Sequence, residues 1–106
     1  MAQPNEFDHR RIARALELRR RYRYVTPRVL RVEHGYRIEA PCCSRTVDPD
    51  GGTVDVALVL FDQARGEWRL FRRDHESRSW ELHSVYSGLH HLLDYLNADP
   101  ERKFWQ

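Results

Sequence analysis

The chain has 106 residues, 41% hydrophobic and 32% charged, with a formal net charge of +2. That is the length of one domain with one small core, and its longest apolar run, Val56–Phe61, falls far short of the ~18 residues of a membrane span. The start lacks an apolar signal core, and the two cysteines, Cys42 and Cys43, are adjacent; a cytoplasmic single domain over residues 1–106 with no disulfide framework is expected.

Pro4-Asn5 opens the first helix, with Asn5 as N-cap and Asp8 complementing the helix N-terminus. At about 100° per residue, Phe7, Ile12, Ala15, Leu16 and Leu18 share one broad side, and Arg10, Arg14, Glu17 and Arg21 the other. Tyr24, Val25 and Pro27 end the helix near Arg20–Tyr22.

From Val29 the period changes to two. Leu30, Val32, His34, Tyr36 and Ile38 alternate with charged residues, which predicts one half-buried strand over Val29–Ile38, with Gly35 as a bulge or bend. Ala40-Pro41 interrupts it, and a short strand follows at Cys42–Val47. Asp48-Pro49-Asp50-Gly51-Gly52 is a turn, Thr53–Asp62 a buried central strand, and Gln63–Gly66 a hairpin turn.

Glu67–Arg73 is the next strand, with Trp68 and Leu70 facing one way and Arg69 and Phe71 the other. A polar turn leads to a strand at Arg78–Val85. Ser87 caps a last helix, in which Leu89, Leu92, Leu93 and Leu96 follow the helical period; Asn97 and Pro100 end it. Short connections between strands imply antiparallel pairing. The fold class expected is α+β: a single antiparallel sheet of four to five strands flanked by an N-terminal and a C-terminal helix packed on one face.

Arg11-Ile12, Gly35-Tyr36-Arg37-Ile38-Glu39, Trp68, Arg73 followed by Trp80, the leucine-rich final helix and the Phe104-Trp105 ending together resemble the pattern of the small bacterial DUF3024 family. The likeness runs from about Phe7 to Trp105 and lies in order and spacing rather than in one motif. The chain departs from the family's pattern at Pro41–Gly52, which is shorter, and at Ser77-Arg78-Ser79-Trp80, where the family tends to Asp-Leu-Lys-Trp. The resemblance implies a stand-alone bacterial domain and carries no activity with it.

Charge is unevenly placed. Residues 1–28 hold eight basic and three acidic groups, a net of +5, and the rest ten basic and thirteen acidic, a net of −3. Arg10, Arg14 and Arg21 on one helix face suit phosphate, with Tyr22, Tyr24, Trp68 or Trp80 available to stack on bases. Seventeen of the eighteen basic residues are Arg, so a composition bias accounts for the excess, though not for its clustering. The element order also matches double-stranded RNA domains, but the second helix starts Ser87-Gly88-Leu89-His90-His91, without a lysine cluster.

Other constellations are weaker. Cys42 and Cys43 point to opposite faces of an extended chain, while His90 or His91 with Asp94, and the scattered His34, His75 and His83, lack metal-ligand spacing. Arg45 would lower a neighbouring thiol pKa. Asp74-His75-Glu76 gathers acid and base groups in a turn, and no phosphate loop or nucleophile elbow is present. No metal or cofactor is expected.

Phe104 and Trp105 are expected to fold back onto the sheet and, where they do not, to form an exposed end suited to a partner; the Val29–Ile38 strand is a candidate edge for pairing with another copy. The function expected is a non-catalytic binding or accessory module, for a protein partner or a homodimer. The alternative is a nucleic-acid binder using Arg10, Arg14 and Arg21, with a small enzyme or metal-binding protein behind both. A protein binder should expose an apolar patch, a nucleic-acid binder a positive stripe beside aromatics, and an enzyme a cleft holding His75 or His83 beside a carboxylate.

Overall fold

The computed structural model describes residues 6–17, 27–41, 53–74, 76–101 and 103–105. Its elements are α1 (Glu6–Leu16), β1 (Arg28–Val32), β2 (Gly35–Pro41), β3 (Thr53–Asp62), β4 (Glu67–Asp74), β5 (Ser79–Tyr86) and α2 (Leu89–Ala98). The strands form one antiparallel sheet in sequence order, with β3 at its centre and β1 and β5 at its edges. This is the α+β class read from the sequence.

The core lies on the helix side of the sheet. The strand registers bring Tyr36, Val59 and Leu70 side by side, and set Ile38 beside Ala57; all five are buried. Against them pack Ile12 and Leu16 of α1 and Leu89, Leu92, Leu93 and Leu96 of α2. Removing a side chain of this size from water contributes about 1.5–3 kcal/mol. Two polar contacts fix the helices: His9 Nε2–H donates to the Val29 carbonyl at 2.7 Å, and Asn97 Nδ2 donates to the Ala15 carbonyl at 2.8 Å.

Asp99 closes the core. It ends α2 in the left-handed region, at φ 39°, and its buried carboxylate accepts from three backbone N–H groups, those of Lys103, Phe104 and Trp105. That clasp turns the chain back, so Phe104 and Trp105 are buried and the Trp105 indole donates to the Leu96 carbonyl at 2.9 Å.

The segment expected as one strand over Val29–Ile38 is two strands. A two-residue turn, Glu33-His34, separates β1 from β2, with His34 at φ 66°. Residues paired directly across strands share a face, and the pairing is Val32 with Gly35, Leu30 with Arg37 and Val29 with Ile38. The turn therefore reverses the alternation: Leu30 and Val32 lie on the face away from the helices, while Tyr36 and Ile38 lie in the core. At Gly35 the chain passes so close to β3 that an added Cβ would collide with the Val59 carbonyl oxygen.

Two further expectations change, at Phe7 and at the cap of α2, and others fall outside the described residues. Phe7 is not in the core; it is 76% exposed, because α1 turns Ile12 and Leu16 inward. The helix ends at Leu16, where Glu17 N–H donates to the Arg14 carbonyl; the end read near Arg20–Tyr22, with Leu18, lies outside the described residues. So do Asn5, the strand read at Cys42–Val47 and the turn at 48–52. Gly88, not Ser87, caps α2, without a side-chain hydrogen bond.

Candidate functional site

No described helix packs on the second face of the sheet. Its residues follow from the registers. Leu30, Arg37, Leu58, Phe71 and Leu82 form a row across all five strands, and Val32, Gly35, Leu60, Arg69 and Val85 form the next. Leu82 is 54% exposed, Val85 44% and Val32 36%; Leu30, Leu58, Leu60 and Phe71 are half-buried. An uncovered sheet face normally carries polar residues, so this apolar content is unusual.

A third row is charged. Arg28 lies 3.4 Å from Glu39, Arg37 bridges Glu39 at 3.5 Å and Asp55 at 2.8 Å, and Arg73 reaches Asp55 at 3.6 Å while lying 5.2 Å from the Trp80 ring centroid. The chain of contacts touches every strand. Nearby, Arg69 binds Asp62 at 2.7 Å. With Glu67, which pairs with Asp62 in the ladder, the face holds four arginines and four carboxylates and is electrically neutral. Glu39 is buried, Asp55 and Arg73 are largely covered and Arg28 is exposed; ion pairs near the surface contribute about 0–1 kcal/mol each.

The basic helix is on the opposite side of the molecule. Arg10 and Arg14 are exposed, one turn apart, and neither forms an ion pair among the described residues. Arg11 lies 3.7 Å from Asp8. Arg21, Tyr22 and Tyr24 lie outside the described residues. Trp68 is buried against Phe61, with ring centroids 4.9 Å apart, and Trp80 is on the face away from α1; neither stands beside the arginines as a stacking platform. Phe104 and Trp105 fold back, and a partner surface made of their exposed rings is corrected by their burial under the Asp99 clasp.

The histidines separate. His83 occupies a bulge opposite Leu70 and Phe71, which turns its ring to the helix side, 5.2 Å from both Tyr95 and Phe104. Burial, then the charge of Lys103, holds its pKa below the ordinary value, and its Nδ1 bonds Ser84 Oγ at 2.9 Å, which bonds the Tyr86 hydroxyl. The described neighbours give it no carboxylate hydrogen bond; Asp99 is held by the three backbone N–H groups. The His90 and His91 rings stack at 3.9 Å, and no group of three metal-ligating side chains occurs among the described residues. His75, Cys42, Cys43 and Arg45 lie outside them. Asp74, whose carboxylate accepts from the Ser77 hydroxyl and the Glu76 N–H, is held below the usual carboxylate range by those bonds and organises its turn.

Sequence reasoning missed the open face because it placed Leu30 and Val32 with Tyr36 and Ile38. The signal was Glu33-His34-Gly35, a two-residue loop ahead of a glycine, which lacks the Asn-Gly or Asp-Gly pair that marks most such hairpins.

The molecule is thus a small α+β domain with one face of its sheet closed by two helices and the other open and half apolar. The family described as a domain of unknown function (DUF3024) matches residues 2–106, essentially the whole chain, and the chain belongs to it. No curated protein and no solved structure matches the chain.

Proposed function

We propose that the chain is a non-catalytic binding module that receives a protein partner on its open sheet face. The exposure of Leu82, Val85 and Val32, continuous through Leu60 and Leu58, carries this reading. Contiguous exposed apolar surface is the mark of an interaction site. The paired charges around it make the face neutral, which favours a mixed protein surface over a polyanion. Affinity capture with three baits tests it: wild type, Leu82→Glu, and Arg10→Ala with Arg14→Ala. A protein retained by the first and third baits but lost from the second is the expected result; loss confined to the third bait overturns it.

Arg10 and Arg14, exposed and without an ion pair among the described residues, favour a second reading, nucleic-acid binding by α1. Fluorescence anisotropy with single-stranded RNA and duplex DNA at about 50 and 200 mM salt separates the two. Binding that falls steeply with salt and vanishes in the double arginine variant supports α1. The setting that goes with either reading is a bacterial cytoplasm, in keeping with the low cysteine content; cell fractionation checks it.

A further inference from the structure

We propose that the occupant of the open face is the same face of a second copy, related by a two-fold axis running along β3. This rests on the reading of that face as a protein-binding surface. Such an axis lays β1 over β5 of the second copy and β2 over its β4, because the strands lie in sequence order. It also keeps the strands of the two sheets nearly aligned, the common arrangement for stacked sheets.

The registers then decide what meets what. In the middle row, Leu30 meets Leu82, Arg37 meets Phe71, and Leu58 meets its own copy. In the next, Val32 meets Val85 and Leu60 meets itself, while Gly35, which has no side chain, leaves space for Arg69. In the charged row, Arg28 comes over Trp80, while Glu39 is buried and Arg73 largely covered within each chain. Apolar groups thus face apolar groups, and arginines face aromatic rings. The like-charge meetings on the axis, Asp55 and Asp62 each with its own copy, are neutralised within each chain, Asp55 by Arg37 and Arg73 and Asp62 by Arg69. The other in-plane axis, across the strands, sets the charged row against Val32, Leu60 and Val85, and the complementarity is lost.

The size of the face sets the strength. Five strands at about 4.8 Å and three rows at about 7 Å give a flat footprint of roughly 500 Å², less than the ~800 Å² per partner of a standard interface. The pairing expected is reversible and concentration-dependent.

Sedimentation velocity on the full chain, from about 10 to 500 μM, measures it. The expected result is a shift from the 12.8 kDa monomer towards twice that mass. Leu82→Glu, at a position that is mostly exposed, keeps the circular dichroism spectrum and raises the dimerisation midpoint by about 10-fold or more. In a Cys42→Ser, Cys43→Ser background, Leu58→Cys cross-links to itself on oxidation, whereas Val85→Cys cross-links only when mixed with Val32→Cys. A monomer throughout, a dimer indifferent to Leu82→Glu, or self-cross-linking of Val85→Cys overturns the proposal. A monomer that still captures another protein through Leu82 rejects self-pairing alone; one that captures nothing rejects the binding-face reading too.

Discussion

The two faces of the sheet are built from the same five strands and differ in what stands between their apolar residues. On the helix side, Tyr36, Val59 and Leu70 touch one another across strands and are roofed by leucines of α2. On the open side, the leucines and valines share their rows with Arg37 and Arg69, each held by a carboxylate of its own face. The first arrangement excludes water for the life of the fold. The second leaves apolar surface in water among charges already satisfied, so a partner can cover it without stranding an unpaired ion.

The largest test of this contrast compares the same truncation on both faces. Leu70→Ala is expected to lower unfolding free energy by about 2–5 kcal/mol in urea denaturation, and Leu58→Ala, half-buried on the open face, by about 1 kcal/mol. Equal losses would mean that the open face is as much a core as the other. Next comes the clasp that seals the covered side. Asp99→Ala leaves three buried or half-buried N–H groups without their acceptor and is expected to cost about 1–3 kcal/mol, with near-ultraviolet dichroism of Trp105 reduced.

On the open side, Leu82→Glu is expected to change monomer stability by no more than ~0.5 kcal/mol while lowering association. The smallest effect is a pH dependence at His83. Its folded pKa lies below the ordinary 6.5, so the unfolded chain binds its proton first as pH falls. Its contribution to stability is intact above about pH 6.5 and is lost below it. The His83 ring resonance should titrate below 6.5 by NMR, and His83→Gln should flatten the acid side of the stability profile.

Much of the covered face was legible in the sequence. The helical period of Leu89, Leu92, Leu93 and Leu96, and the apolar run of β3, reflect burial that repeats along a single element. The open face was not, because it depends on relations between elements. The contacts Arg37–Asp55 and Asp55–Arg73 join residues 18 apart, and the face of each is set by registers and bulges. Asp99 was invisible for a related reason: an acidic residue after a helix is ordinary, and its three donors arise only once the chain turns back. Of the candidate site residues, Arg10 and Arg14 lie on an exposed helix surface as read, and Phe104 and Trp105 fold back into the core as first read, which removes them as a partner surface.

The Glu33-His34 turn has a bearing on how the chain tolerates changes in length. Surface loops usually accept an added residue at little cost. Here a single insertion that kept β2 in place and slid β1 by one position would turn over every side chain of β1. Leu30 and Val32 would leave the open face, and Val29 and Arg31 would take their places. Lengthening by two residues preserves the assignment. Viable length variants at this turn are therefore expected to differ by even numbers, and a library of insertions sorted for folding would show that parity.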